Sequence, residues 1–217
     1  MSEEIHNIFQ KIIRDSIRVK ITPVVTQTLV AAFFLIYGLY AEKPFMTEQV
    51  ILLFGFIPAL MFNLYAIYRY VTHIFLHLNW LHLIFNSAFL WCFGDNVEER
   101  TGRAIYVISF FASGIFAAFC FGMLVITLFP DFAIIPCIGA SGAISGIMGM
   151  YFMLIPENKI IFLDKYEVDS KYFLAAWFIE QLIYSLTLEQ GIAYFAHVSG
   201  FILGVIIGYV IKRKEGE

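Results

Sequence analysis

Seven stretches of this chain run through at least 17 residues with no more than one formal charge. They are Ile21–Ala41, Val50–Tyr68, Val71–Gly94, Ala104–Pro130, Phe132–Pro156, Tyr172–Leu188 (interrupted by Glu180) and Gly191–Ile211. About 20 apolar residues suffice to cross a bilayer as a helix. In hydrocarbon the backbone must satisfy its own hydrogen bonds, so continuous apolar segments of this length read as helices. Composition agrees: 60% of residues are hydrophobic and 14% charged, where a soluble domain carries about a quarter charged. The fold class expected is all-α, a polytopic membrane bundle.

The distribution of positive charge decides how many stretches cross. If Val50–Tyr68 stays on one side, six spans remain. Lys11, Arg14, Arg18, Lys20, Arg100, Arg103, Lys159, Lys165, Lys171, Lys212, Arg213 and Lys214 then share the inner side, leaving only Lys43 and Arg69 outside. Letting that segment cross would invert everything after it and destroy the bias. Pro58 also removes a backbone donor near its centre, and Asn63 adds a polar group. Residues from about 42 to 70 are therefore expected to form an ordered outer loop of short interfacial helices. The organisation that follows is a cytoplasmic segment 1–20, a six-helix membrane domain 21–211 and a cytoplasmic tail 212–217. Charges before the first apolar run argue against a cleavable signal peptide. The first span is expected to direct insertion itself.

Cys92, Cys120 and Cys137 are odd in number and lack C-x-x-C spacing, so packed free thiols are expected rather than a disulfide framework or zinc site. Two spans carry small residues at a spacing of four. One has Gly142 and Gly146, with Ser145 and Gly149 beside them; the other has Gly200, Gly204 and Gly208. Such stripes let helix backbones approach closely in lipid. The same two helices carry Ser141 and His197, so their contact would bring a hydroxyl and an imidazole together.

Polar side chains inside membrane segments are costly and mark function. Ser141 follows the breaker Pro136 and opens its helix, where free N–H groups and the helix dipole favour a developing anion. Gly139 and Gly142 flank it and permit a tight backbone. His197, desolvated and neutral, suits a general base. No Asp or Glu near it in its own span can serve as an orienting third member, so a Ser/His dyad is expected. His82 and Asn86, four residues apart, share a helix face and can aim donors at one oxyanion. His73 and His77 are expected at the outer end, lining a hydrated entrance or satisfying loop carbonyls. A metal site from His73, His77 and His82 is disfavoured by the lack of H-E-x-x-H and of any acidic residue in Val71–Gly94. No cofactor is expected. Phe173, Trp177 and Phe178 mark a candidate lateral gate, and Glu180 has no assigned role.

The array His77-x4-His82-x3-Asn86, Gly139-x-Ser141-Gly142 and Ala196-His197-x-x-Gly200 resembles the rhomboid family of intramembrane serine proteases. The similarity extends through Phe93-Gly94-Asp95-Asn96-Val97-Glu98-Glu99-Arg100-x-Gly102 and back to Arg69, covering Arg69 to Gly208. It implies the minimal six-span prokaryotic form, both termini cytoplasmic, with Ser141 as nucleophile and His197 as general base. It further implies that His82, Asn86 and the Ser141 N–H stabilise the oxyanion, and that Glu98 and Arg100 form a structural ion pair at the inner face. Arg69 matches the arginine of a Trp-Arg pair, with Tyr68 in place of the tryptophan. Ser145 stands where relatives often carry an aromatic ring stacked on the histidine.

The partners implied are transmembrane protein substrates and the lipid bilayer, with no nucleic acid. Two other readings compete. A non-catalytic rhomboid-like client-binding protein is opposed by the presence of both Ser141 and His197. A small transporter or channel is opposed by polar residues confined to the outer half and by the lack of an inverted repeat.

Overall fold

The computed structural model describes residues 9, 11–16, 19–187 and 194–216. Arg18, the expected span end Leu188 and the expected span start Gly191 lie outside the described residues. Six long helices form the body: α1 (Val24–Tyr40), α3 (Trp80–Thr101), α4 (Arg103–Leu128), α5 (Ser141–Leu154), α6 (Ser170–Thr187) and α7 (Tyr194–Glu215). A shorter helix, α2 (Pro44–Phe54), opens the segment between α1 and α3, followed by single 3₁₀ turns at Pro58–Leu60 and Leu64–Ala66. Two helices, Arg103–Leu128 and Tyr194–Lys214, are each long and apolar enough to cross a membrane alone. A third crossing is possible if Leu64–Phe75 and Trp80–Thr101, bent by 82°, form one span.

One helix start differs from the sequence reading. The apolar run from Val71 is not one helix: a short helix Arg69–Thr72 and a 3₁₀ turn His73–Phe75 end before Leu76. Helix α3 starts anew at Trp80, where Asn79 is extended and its side chain accepts the His82 N–H at 2.8 Å. That is an N-cap, and it holds His73 and His77 in the preceding turns rather than on the helix. By contrast α5 begins at Ser141, where the breaker Pro136 led the sequence reading to open it. Pro136, a two-way backbone bridge between Phe56 and Cys137, and Gly139 with φ +122° hold residues 136–139 out of the helix. At the other end, α7 carries on through Lys212–Lys214 to Glu215.

Against the all-α expectation, three short strands form an antiparallel sheet: β1 (Ile13–Asp15), β2 (Lys159–Phe162) and β3 (Tyr166–Asp169), in that spatial order. Asp15 fastens the sheet to the helices. Its Oδ2 accepts from Asn96 Nδ2 of α3 (2.6 Å), Tyr151 OH of α5 (2.9 Å) and Asn158 Nδ2 (3.0 Å). Asn158 Nδ2 also donates to Tyr151 OH.

Interhelical capping holds the first helix. Pro23 gives α1 no side-chain cap, and the fully buried Glu98 of α3 supplies it instead. Glu98 accepts the Val25 N–H (3.0 Å), the Thr26 N–H (2.9 Å) and the Thr26 hydroxyl (3.0 Å). A carboxylate at a helix N-terminus meets both the unpaired N–H groups and the positive dipole end. Arg103 Nε lies 3.7 Å from it, while Arg100 is exposed. The C-terminus of α2 is capped in the same manner. Its last carbonyls receive Arg69 Nη1 (Leu52 O and Gly55 O, 2.8 Å each), Tyr68 OH (Leu53 O, 2.9 Å) and Thr72 Oγ1 (Phe54 O, 2.6 Å).

At the centre sits α5, with every residue from Gly142 to Tyr151 buried. It packs on α7 through glycine. A methyl on Gly204 would be driven into the Gly146 carbonyl, one on Gly200 into the Gly142 carbonyl, and one on Gly149 into the Phe201 carbonyl. Gly146 also receives Ser113 of α4 on its other side. The three cysteines are free thiols.

Gly204→Ala should therefore lower stability by about 1–3 kcal/mol through overpacking. Gly38→Ala, with open space around its Cα on α1, should be neutral or stabilising by up to ~1 kcal/mol. Unfolding of both variants in detergent micelles, followed by loss of helicity, makes the comparison.

Candidate active site

Ser141 is the first residue of α5, preceded by Ala140 as N-cap with no side-chain cap. The first-turn N–H groups have no intrahelical acceptor, as at any helix start. Beside it, the glycine contacts between α5 and α7 bring in His197. Its Nε2 lies 2.8 Å from Ser141 Oγ. Both side chains are half-buried.

The other face of His197 is held by α6. His197 Nδ1 is 2.7 Å from Gln181 Oε1. The Trp177 ring stacks on the imidazole, with centroids 6.3 Å apart and planes 28° apart. Tyr194 meets it edge-on at 6.2 Å. Ser145, one turn after Ser141, donates back to the Ser141 carbonyl at 2.6 Å. The ring stacked on His197 thus comes from α6. Sequence reasoning missed Gln181. The available signal was its i+4 spacing from Trp177, which places both on one face of α6.

His82 approaches from α3. Its Nδ1 accepts the Leu78 N–H at 3.3 Å, so the proton of the neutral ring sits on Nε2. That edge points at Gly139. The space left by the missing Gly139 Cβ is bounded by His82 Nε2 at 2.9 Å and Ser141 Oγ at 3.8 Å. Asn86 is buried one turn further along α3, and its Nδ2 donates to His82 O at 3.0 Å. One amide hydrogen of Asn86 is engaged there, and the amide carries a second.

His73 and His77 are buried, and of the two roles expected, entrance lining or satisfying a carbonyl, His73 takes the second. His73 Nδ1 binds the Arg69 carbonyl at 2.9 Å. His77 is fixed through its backbone, where Tyr40 OH donates to His77 O at 2.8 Å, and its ring lies between Phe33 and His82. Among the described residues no three His, Cys, Asp or Glu side chains are grouped to hold a metal ion. The three candidate gate residues of α6 pack on neighbouring helices, Trp177 and Phe178 on Phe201 of α7 and Phe173 on Phe93 of α3.

A family model for the rhomboid domain matches residues 64–214, which include His82, Asn86, Gly139, Ser141, Gln181 and His197. The chain belongs to the rhomboid family. Rhomboid-like protease 3 of Toxoplasma gondii is 29% identical over 170 residues, covering 77% of this chain and 61% of that protein. Rhomboid protease GlpG of Yersinia pseudotuberculosis (serotype I, strain IP32953) is 28% identical over 154 residues, covering 70% of this chain and 50% of that protein. The same figures hold for the Yersinia pestis (strain Pestoides F) protein of that name. This rhomboid chain spans half to three fifths of the length of these curated relatives. Family and apolar helices together make it a membrane protein.

Gly139 is the backbone position of this rhomboid site that lies at positive φ. Gly139→Ala would place a methyl against the His82 ring at a φ that side chains rarely adopt. The substitution should cost about 1–3 kcal/mol of stability and push His82 away from Ser141. A lowered melting temperature in detergent, with reduced labelling of Ser141 by a serine-reactive phosphonate, is the expected outcome.

Proposed function

We propose that this chain is an intramembrane serine endopeptidase that hydrolyses peptide bonds in or near the transmembrane helices of other membrane proteins. The observation that carries the reading is the 2.8 Å contact between Ser141 Oγ and His197 Nε2 at the start of a buried helix. Ser141 Oγ attacks the scissile carbonyl while His197 Nε2 takes its proton. The new oxyanion lies between the Ser141 N–H, His82 Nε2–H and the free amide hydrogen of Asn86. His197 then protonates the leaving amine, and the acyl-enzyme forms. Water attacks the ester with His197 again as base, and Ser141 is regenerated. Neither step calls for a metal or a cofactor.

The proposed topology has six crossings by α1, α3, α4, α5, α6 and α7, with both termini cytoplasmic and the site open to the outer face. Residues 21–211 form the membrane domain, flanked by cytoplasmic segments 1–20 and 212–217. The clustering of positive charge on one side of this arrangement supports it. So do the exposed Phe45, Phe62, Leu64 and Tyr65, which suit an outer loop, residues 42–70, bedded in the lipid interface. With 14 residues, α5 is ~21 Å long, short of the ~30 Å hydrocarbon core. The non-helical residues before it complete the crossing. Such backbone is tolerated at membrane depth where protein buries it or water reaches it, and water at Ser141 is what hydrolysis needs.

Partners on this reading are transmembrane substrates and the bilayer, with no nucleic acid. A substrate helix must unwind to expose its scissile carbonyl, so Gly or Pro near the cleaved bond should favour cleavage. A non-catalytic client-binding role is not favoured, because it leaves the serine–imidazole contact without a purpose.

Purified protein in liposomes with a transmembrane substrate tests the proposal. Ser141→Ala and His197→Ala should each reduce cleavage by at least ~10³-fold, and a chelator should have no effect. Asn86→Ala should lower kcat by about 10²-fold with unchanged unfolding temperature. Cleavage that survives Ser141→Ala, or disappears on chelation, defeats the assignment.

A further inference from the structure

We infer that Gln181 is a positioning residue that sets the tautomer of His197, and that Glu180 sets the orientation of the Gln181 amide. The inference rests on the proposed Ser141–His197 chemistry. A neutral imidazole carries one proton. For Nε2 to accept from Ser141, that proton must reside on Nδ1, and a buried N–H needs an acceptor. Gln181 Oε1 stands 2.7 Å from Nδ1 and Gln181 is buried. A carboxamide, however, can present either end. Turned over, its NH₂ would donate to Nδ1, drive the proton to Nε2 and abolish the base. Glu180 selects the productive orientation. Its Oε2 lies 3.4 Å from Gln181 Nε2, and a carboxylate oxygen accepts, so the NH₂ end is drawn toward Glu180 and the carbonyl end toward His197.

Four groups from three helices thus form one directed series: Ser141 on α5, His197 on α7, and Gln181 with Glu180 on α6. Each donates or accepts in one sense only. Glu180 itself is exposed, and the amide carries its influence inward without a charge beside the imidazole. The series also gives Glu180 a role that its isolated position in an apolar helix leaves open.

The test compares kcat, KM and pH profiles in liposomes. Gln181→Leu, similar in bulk but without an acceptor, should lower kcat about 10–10²-fold with little change in KM. Gln181→Glu restores the acceptor, so its kcat should recover well above the Leu variant. Its carboxylate favours the imidazolium, so the acidic limb of the profile should move to higher pH. Among the described residues, the other titratable groups around His197 are His82 across the site, Tyr194 one turn earlier and Glu180 behind the amide. Glu180→Gln keeps a carbonyl facing the amide and should stay near wild type, whereas Glu180→Leu should lose part of kcat. A Gln181→Leu enzyme within about twofold of wild-type kcat, against the roughly 10-fold or greater loss expected, together with an unmoved profile in Gln181→Glu, overturns the inference. Phosphonate labelling separates the two levels: wild type that fails to label at Ser141 defeats the proposed function, whereas normal labelling with those kinetics defeats only the role of Gln181.

Discussion

The close approach of α5 and α7 is the constraint from which the site follows. Lipid is as apolar as leucine, so no hydrophobic force pulls these helices together, and packing must do so. Glycine makes the approach possible: Gly142 faces Gly200, and Gly146 faces Gly204. Ser141 is one residue from the first of these contacts and His197 three residues from it. Serine has a single-atom reach beyond Cβ. Here the glycine-close backbones put its Oγ 2.8 Å from an imidazole on another helix. The stripe that stabilises the pair therefore also fixes the separation on which proton transfer depends.

Capping between helices is the second recurring device. Glu98 serves α1 from α3, and Tyr68, Arg69 and Thr72 serve the end of α2 from the following segment. Helix ends that would meet water in a soluble protein have little of it here. An unpaired backbone group at such a place is expensive, so neighbours provide what solvent does not. Each cap then fixes an angle between elements as well as a helix end.

The helical body and the meeting of Ser141 with His197 were legible in the sequence because their signals are local: unbroken apolar runs and glycine every fourth residue. The strands were not. Ile13–Asp15 lies in a charged segment, and its partner Lys159–Phe162 is far along the chain, so no local pattern announces the pairing. The start of α3 was misread because the apolar run from Val71 passes through short helical turns and an extended stretch, and only Asn79 marks the boundary. The start of α5 was legible, because Pro136 breaks its run before Ser141. Gln181 was hidden for another reason. Its neighbour Glu180 carries the charge that draws attention, while the amide acts through a contact with a helix that follows it.

On the proposed mechanism two histidines must hold opposite tautomers within one site. His82 has to donate from Nε2, and His197 has to accept there. The side chains are chemically identical, so the difference lies in what meets Nδ1. At His82 it is a backbone N–H, from Leu78, which forces the proton to the far nitrogen. At His197 it is a carbonyl oxygen, from Gln181, which draws the proton to the near one. A backbone donor cannot reverse its polarity, but a side-chain amide can, and so only His197 needs a further group to fix its partner. A carboxylate at position 181 would need none. It would also put a second buried charge beside the imidazolium in a low-dielectric interior, at a desolvation penalty of several kcal/mol per ion. A neutral amide oriented by a more exposed carboxylate gives the tautomer without that penalty. It stabilises the imidazolium less than an adjacent charge would, which places the catalytic burden on the oxyanion donors of α3 and on the first turn of α5.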